Sequence, residues 1–363
     1  MVKVALIRLV ALAACLFAWF CAPAMAADAL FVQTNAPNGD NAVRVLVGGK
    51  GGKLASAGSF RTGGSGTGKE IASEGTLALT RNRRYLAVLD VGSSAVTVFR
   101  VGRGRLERTD RIASGGRHPV SIASGPNNRF VVLNARGTSN LAGFKVRRKS
   151  GELVALPRLS APLSEDGAGA YEVAVSASGK RAAVSYAKAK GGNDLELFRV
   201  AGGRLRSAGV AAVQGGRPSP ISFLRNDRLL VGRMGPGGPG LATYGVGQGL
   251  DSLSTLGIIV CWIETNDAGT LGWATFPSSV HSFGIGSSGK LSERRSKQLR
   301  GRSSDLTLGA KGRRLYVLNK RNGRVRVLAL NPKKLTVLDA SRRLPGTTTG
   351  IVDLPNNIGG FST

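Results

Sequence analysis

The segment AVTVFRVGRGRL (Ala95–Leu106) holds the pattern that decides the fold. Apolar and polar residues alternate up to an aromatic residue, a glycine-rich basic turn follows, and a leucine comes after the turn. Alternation of period two, bounded by Gly and basic turn residues, predicts two short antiparallel strands joined by a tight turn.

The same phrase recurs along the chain, and each copy ends its first strand in a large apolar anchor residue. The anchors are Leu46, Phe99, Phe144, Phe198, Tyr244, Phe283 and Leu328. They follow one another about every 47 residues, a spacing typical of propeller blades. A second phrase, a turn followed by an apolar strand, precedes the first in each unit, as in TRNRRYLAVLD (Thr80–Asp90).

These repeats predict an all-β, seven-bladed β-propeller in one domain, with a β-sandwich or an open solenoid as the alternatives. The first unit begins at Asp28 with LFVQTN (Leu30–Asn35) and lacks an inner strand before it. The end of the chain supplies an additional strand, TGIVDL (Thr349–Leu354). We expect this C-terminal strand to complete the N-terminal blade and so close the ring without an open strand edge.

The first 26 residues have the composition of a secretory signal peptide. A basic start is followed by the apolar run Leu9–Ala22 and by the small-x-small site Ala24-Met25-Ala26. We therefore expect residues 27–363 to form the mature propeller, located in the periplasm or outside the cell. An uncleaved anchor and lipidation at Cys15 are the alternatives. After cleavage no transmembrane segment is expected, and Cys261 is left without a cysteine partner for an internal disulfide.

Charge is the most unusual feature of the composition. The 363 residues include 51 Lys and Arg against 21 acids, a net charge of +30, and 42% apolar residues exclude wholesale disorder. Residues Met234–Gly289 contain no Lys or Arg, whereas basic residues are dense from Lys290 to Arg343. This basic sector predicts attraction to an anionic polymer, surface or protein; a solvated basic face without a partner is the alternative. Nucleic acid is not expected, because the predicted export separates the protein from genomic DNA and aromatic residues are few.

Several stretches resemble the seven-bladed propeller lactonase family. They are FVQTN (Phe31–Asn35), RTGG (Arg61–Gly64), SEGTLALT (Ser73–Thr80), SGGRHPVSIA (Ser114–Ala123), Cys261-Trp262 and SDLTLGAKGRRLYVLN (Ser304–Asn319). The resemblance extends from Ala29 to about Leu354 and is greatest to the exported branch of the family. It implies a propeller lactonase or lactonising cycloisomerase that acts on a small carboxylated lactone. Lactonising members carry a Pro-His-x-His phrase on the channel rim, whereas this chain has only Gly-Arg-His-Pro at His118.

Small-molecule sites in propellers lie at the mouth of the central channel, where the inner strands begin. Aligning the units on the second phrase predicts which residues lie there. At the starts of the inner strands the alignment places Thr76, Ser121, Glu172, Pro220, Cys261 and Asp305, and in the loops before them Arg117, His118, Arg217 and Arg302.

The predicted chemistry needs no metal or other cofactor. Arg117, Arg217 and Arg302, with Ser121 and Asp305, are expected to bind a carboxylated substrate and its oxyanion. His118 or Glu172 is expected to act as general base on the attacking water. The alternative roles are backbone capping for the arginines, inter-blade hydrogen bonds for Glu172 and Asp305, and a loop position for His118. His281 is interpreted as a blade-surface residue, and Cys261 as a buried small apolar residue.

Two functions from different classes therefore remain open at this stage. One is a metal-independent enzyme that hydrolyses or forms a lactone at the channel mouth. The other is a non-catalytic extracytoplasmic propeller that binds an anionic partner through its basic sector. In both cases we expect a monomer.

Overall fold

The computed structural model of the chain describes residues 28–69, 71, 75–102, 105–137, 139–164, 169–186, 194–213, 215–234, 239–247, 250–258, 260–276, 278–301, 303–309, 312–319, 323–331, 334–340 and 358–362. Their strands form seven antiparallel sheets, one for each predicted blade. The predicted all-β, seven-bladed propeller is therefore confirmed.

Blade 1 contains β1 (Asp28–Gln33), β2 (Ala42–Gly48), β3 (Leu54–Arg61) and the last strand of the chain, β29 (Ile358–Ser362). Blade 2 contains β4 (Leu77–Leu79), β5 (Tyr85–Asp90), β6 (Ala95–Gly102) and β7 (Arg105–Ala113). Blade 3 contains β8 (Arg117–Gly125), β9 (Arg129–Arg136), β10 (Asn140–Val146), β11 (Leu153–Ala155) and β12 (Ala161–Pro162).

Blade 4 contains β13 (Ala170–Val175), β14 (Arg181–Tyr186), β15 (Leu195–Ala201) and β16 (Arg204–Ala211). Blade 5 contains β17 (Pro218–Phe223), β18 (Leu229–Arg233), β19 (Gly240–Val246) and β20 (Leu250–Leu256). Blade 6 contains β21 (Trp262–Thr265), β22 (Leu271–Phe276), β23 (Ser279–Ile285) and β24 (Leu291–Gln298). Blade 7 contains β25 (Ser303–Leu308), β26 (Arg314–Asn319), β27 (Arg324–Asn331) and β28 (Lys334–Ala340).

Four short 3-10 helices interrupt the loops of the described residues. They are Lys50–Gly52, Val91–Ser93, Pro157–Leu159 and Arg225–Asp227. No helix of the described residues is long and apolar enough to cross a membrane.

The C-terminal strand closes the ring as predicted, but it lies further along the chain. In blade 1 the order is β29-β1-β2-β3, so β29 takes the inner position that the N-terminus does not supply. The register pairs Leu30 with Gly360 and Phe31 with Gly359. The segment named from the sequence, Thr349–Leu354, lies outside the described residues.

Apolar clusters fill the spaces between neighbouring blades, and one of them extends over blades 2, 3 and 4. In β1, Leu30 and Val32 pack with Tyr316 and Leu318 of blade 7. The intervening residue Phe31 packs against blade 2. Both faces of β1 are therefore buried, and the alternation in its sequence distributes residues between two neighbouring blades.

The anchor residues of the repeat lie in these clusters. All are buried, with exposed fractions of 3% or less: Leu46, Phe99, Phe144, Phe198, Tyr244, Phe283 and Leu328. Burying a large apolar side chain contributes roughly 1.5–3 kcal/mol, so the repeated anchors are a principal source of cohesion between blades.

The strand directions define the two faces of the ring. We call the face at which the inner strands begin the entry face, and the opposite face the exit face. Turns between the second and third strands also lie on the entry face, because consecutive strands in each blade are antiparallel.

Candidate functional site

The inner strands are irregular where the sequence predicts site residues. The pairing register shifts between Pro119 and Ser121 in β8, and between Ala170 and Glu172 in β13. It also shifts between Pro218 and Ile221 in β17, and between Ser303 and Asp305 in β25. Such bulges redirect a side chain and are frequent beside active sites.

Two of the predicted site residues connect adjacent blades through these bulges. The Ser121 Oγ accepts a hydrogen bond from the backbone N–H of Val173 at 3.2 Å. The Glu172 Oε2 accepts one from the backbone N–H of Ile221 at 2.8 Å. Ser121 is fully buried, so it acts in holding the ring together and is not accessible to a substrate.

Glu172 also has an unusual protonation equilibrium. Burial among the inner strands raises its pKa well above the ordinary value, and the negative charge of Asp305 raises it further, against the hydrogen bond from Ile221. Asp305 is itself buried, and its Oδ1 accepts a hydrogen bond from the N–H of Leu306 at 2.8 Å. These two carboxyl groups, from blades 4 and 7, therefore influence each other in the centre of the ring.

The loop before β8 positions Arg117 and His118, which the sequence placed in that loop but which are the first two residues of the strand. Ser114 and Asn134 exchange two hydrogen bonds, of 2.8 and 3.0 Å, which hold the loop against β9. A Cβ on Gly116 would lie 2.5 Å from Asn140 Oδ1, so only glycine fits there. His118 follows with a left-handed backbone (φ 56°), and its N–H donates to Ser94 Oγ at 3.2 Å.

Two adjoining clefts on the entry face have His118 and Arg136 in common. One has a volume of about 640 Å³ and is also lined by Lys69, Val120 and Ala170. The other has a volume of about 410 Å³ and includes Arg117. Both volumes fall in the range of small-molecule sites, roughly 300–1,000 Å³.

Burial and a neighbouring positive charge affect the protonation of the His118 imidazole. Partial burial lowers the pKa of the His118 imidazole, and the positive charge of Arg136 lowers it further. A lowered pKa favours the neutral imidazole, which has a nitrogen able to accept a proton. The guanidinium groups of Arg117 and Arg136 beside it suit a carboxylate or a developing oxyanion.

The structure brings together only part of the predicted site. Arg117 and His118 line a common cleft. Arg217 is exposed on blade 5, with a left-handed backbone (φ 47°), and lines neither of these clefts. Arg302 lies outside the described residues.

Arg136 and Lys69 line the clefts but were not identified from the sequence. Arg136 is the last residue of the buried strand β9 and pairs in register with Arg117, so a pairing of the two strands would have found it. Lys69 ends the glycine-rich loop Gly63–Lys69. The Asn35 side chain shapes this loop, accepting from the N–H of Thr67 at 2.9 Å and donating to the Lys69 carbonyl at 2.6 Å.

His281 takes part in a chain of side-chain hydrogen bonds on blade 6. Its Nε2 lies 3.1 Å from Ser279 Oγ, and its Nδ1 lies 2.8 Å from Glu293 Oε1. The order is that of a Ser–His–acid triad. Ser279 is 6% exposed, however, and its hydroxyl also lies 3.3 Å from the Phe276 carbonyl, which competes for its proton.

Within the described part of the chain, no group of three or more His, Cys, Asp and Glu residues has the geometry of a metal site. Cys261 is half-buried and in no disulfide, and its N–H donates to the Thr275 carbonyl at 2.7 Å.

Comparison with protein families identifies the fold type. Residues 40–165 match the family model described as Lactonase, 7-bladed beta-propeller. The resemblance to the seven-bladed propeller lactonases is confirmed. A search of the curated proteins finds no match to this chain.

Several solved structures share the architecture of this propeller at low sequence identity. The Pseudomonas aeruginosa periplasmic gluconolactonase PpgL is 16% identical, with a TM-score of 0.70 over 92% of this chain and 99% of its own. A Lactobacillus plantarum protein is 13% identical, with a TM-score of 0.71 over 92% and 99%. AztD from Citrobacter koseri is 10% identical, with a TM-score of 0.59 over 93% and 98%. At such identities the likeness establishes the fold alone.

Proposed function

We propose that this protein hydrolyses, or forms, the lactone of a carboxylated small molecule at the entry-face clefts around His118. The observation that carries this proposal is the position of His118, whose pKa is lowered by burial and by Arg136, in one cleft with Arg117 and Arg136. The match to the lactonase family model and the fold shared with a periplasmic gluconolactonase support the assignment of the reaction class.

In the hydrolytic direction, a water molecule adds its oxygen to the lactone carbonyl carbon while His118 accepts one of its protons. Arg117 and Arg136 stabilise the oxyanion and the substrate carboxylate. The ring C–O bond then breaks, and protonated His118 returns the proton to the leaving alkoxide. The product is the open hydroxy acid, and lactone formation is the same sequence reversed.

Glu172 is the second candidate for the proton-transferring group. Its raised pKa favours the protonated form, which can donate to a leaving oxygen. Ala170, two residues earlier in β13, lines the larger cleft, whereas Glu172 is not among the residues that line it. The variant Glu172→Gln retains a carbonyl oxygen for the Ile221 N–H and is therefore expected to fold.

The test is turnover of plain and carboxylated five- and six-membered lactones by the purified protein, followed as acid release in weak buffer. We expect saturable hydrolysis that prefers carboxylated lactones and falls about 10²–10⁴-fold in His118→Ala. Arg204→Gln, an exposed change on blade 4, is the surface control. Melting temperatures of all variants must match the wild type.

Two results would contradict the proposal. Absence of turnover across the panel in a folded protein would contradict the proposed lactonase activity. Full activity in His118→Ala and Glu172→Gln, with loss in Ser279→Ala, would move the active centre to the Ser279–His281–Glu293 chain of blade 6.

The proposal includes export of the protein. The apolar run Leu9–Ala22 and the small residues around Ala26 support removal of a signal peptide. N-terminal sequencing of the protein from its native cell envelope is expected to begin at Ala27. An intact N-terminus, or a lipid on Cys15, would contradict cleavage after Ala26.

A second candidate function is binding of an anionic polymer by the basic sector. In β24 every residue after Leu291 is exposed, and Arg294, Arg295 and Lys297 lie on this strand. If this strand binds a polyanion, retention on an anionic matrix should fall steeply with salt. It should also fall in Arg294→Gln/Lys297→Gln, with no change in lactone turnover.

A further inference from the structure

A second cleft lies on the exit face, away from His118. It has a volume of about 800 Å³ and is formed by turns of blades 2 and 3. Its lining includes Arg81, Asn127, Lys145, Arg148, Lys149 and Leu156. The volume is that of a small-molecule site, and neither the family resemblance nor the proposed reaction makes use of it.

The basic turn that forms one wall is held in place by blade 2. The Tyr85 hydroxyl donates to the Arg148 carbonyl at 3.1 Å. The Arg100 guanidinium donates to the carbonyls of Lys149 and Ser150 at 3.2 and 3.1 Å. These hydrogen bonds fix the backbone of the turn, so the site is preorganised for binding a ligand.

The basic side chains that line this cleft differ in whether they already have a hydrogen-bond or ion-pair partner in the protein. Arg81 donates to the carbonyls of Ser176 and Ala177 in blade 4, and Arg147 pairs with Glu152 at 2.9 Å. In the part of the chain that the structure describes, no carboxylate pairs with Lys145, Arg148 or Lys149. Three exposed positive charges around one cleft therefore favour an anionic ligand.

The rest of the lining indicates the kind of anion. Side-chain amides of Asn82, Asn127 and Asn128 line the cleft, and amides pair with neutral hydroxyl groups. Val154 and Leu156 are half-buried in its wall and offer apolar surface. A ligand that combines carboxylates, hydroxyls and C–H faces matches all three features, whereas a bare phosphate matches only the charge.

We propose that the exit-face cleft is a binding site for an acidic oligosaccharide. Lys145, Arg148 and Lys149 pair with the uronate carboxylates, and the asparagine amides bind the sugar hydroxyls. Val154 and Leu156 contact the apolar faces of the rings. This site is independent of the proposed lactone chemistry, because the two clefts lie on opposite faces of the ring.

The test is calorimetric titration of the whole protein with trigalacturonate, beside the neutral trisaccharide maltotriose and inorganic phosphate. Lys145→Gln/Lys149→Gln removes two charges from the cleft. Arg204→Gln/Lys290→Gln removes two exposed charges from the equivalent turns of blades 4 and 6 and is the matched control. Asn127→Gly removes one amide and tolerates the left-handed backbone at this position (φ 59°).

We expect trigalacturonate to bind at least tenfold more weakly to Lys145→Gln/Lys149→Gln, and within twofold of wild type to the control. Asn127→Gly should weaken trigalacturonate about threefold or more without changing the response to phosphate. Maltotriose should not bind.

Other results would overturn the assignment. Equal weakening in the cleft and control variants would mean attraction by the overall charge alone. Displacement of trigalacturonate by equimolar phosphate would mean an anion site without preference for a sugar. Failure of trigalacturonate to bind the folded protein would contradict the proposed oligosaccharide site. Lactone turnover, measured in parallel, is expected to stay unchanged in all these variants, so the two proposals fail separately.

Discussion

Two glycines of the RTGG stretch (Arg61–Gly64) show how single residues shape the contact between blades 1 and 2. A Cβ on Gly63 would lie 2.1 Å from Arg108 Nη1, and one on Gly64 would lie 2.3 Å from Asp90 Cγ. The buried Asp90 carboxylate accepts hydrogen bonds from Asn41 Nδ2 at 2.8 Å and Thr97 Oγ1 at 2.6 Å. This stretch therefore contributes to structure, although it also carried part of the family resemblance.

Gly64→Ala is expected to destabilise the protein by about 1–3 kcal/mol, because the added methyl group displaces the Asp90 carboxylate from its donors. Urea unfolding measures the effect. Gly257→Ala is the control, since a Cβ there meets nothing within 4 Å. Equal stability of the two variants would show that Asp90 can move without cost.

His118 is expected to set the acid side of the pH profile of turnover. Its pKa is lowered from 6.5 by burial and by Arg136, so the neutral base persists to below pH 6.5 and kcat/KM falls only at lower pH. Arg136→Gln removes one cause of the lowering and should shift the acid limb to higher pH. An acid limb that is unchanged in Arg136→Gln would assign the titration to another group.

At the scale of elements, the inner strands combine a structural and a chemical function. Their side chains connect neighbouring blades, as Ser121 and Glu172 do, and they also bring carboxyl groups into the centre of the ring. Glu264 lies on the inner strand β21. Burial raises its pKa from 4.5 to about 8, and the negative charge of Asp267 contributes to the rise.

Because the folded-state pKa of Glu264 exceeds the unfolded value, folding stability is lost as pH rises from 4.5 through about 8. Glu264→Gln removes this loss. We expect the variant to match the wild type near pH 4.5 and to gain about 1–3 kcal/mol above pH 8, discounted because water reaches the side chain. Urea unfolding at pH 5, 7 and 9 measures the difference. A gain that does not depend on pH would contradict ionisation as its cause.

Strand existence could be predicted from alternation, but the bulges could not. A register shift depends on how two strands align, and the residues of one strand do not encode it. For this reason the sequence placed Arg117 and His118 in a loop, whereas the structure has them as the first two residues of β8, and Arg136, which pairs with Arg117 from β9, was missed. Likewise His281 was interpreted as a blade-surface residue, because its contact with Glu293 requires the pairing of β23 with β24.

At the scale of the whole molecule, the ring depends on the meeting of the two chain ends. Apolar clusters join every pair of neighbouring blades, including blade 7 with blade 1 through Leu30 and Tyr316. The inner strand of blade 1, β29, comes from the end of the chain. Blade 1 is therefore complete only when the ring is closed.

Deletion of residues 358–363 is expected to lower the melting temperature by about 5–15 °C, because the inner edge of β1 loses its partner strand. Deletion of Thr363 alone is the control and should leave the melting temperature unchanged. Differential scanning calorimetry measures both. A stable ring without β29 would mean that the apolar clusters close it unaided.

The sequence by itself determined the fold, the blade count and the closure by a C-terminal strand, because these follow from periodic burial that each unit repeats locally. It also predicted Arg117 and His118 as candidate site residues, since they follow a recognisable turn. Only the tertiary structure decided which side chains meet. Arg136 beside His118 and the exit-face cleft between blades 2 and 3 arise from segments distant along the chain, which the ring brings together through contacts that no single repeat contains.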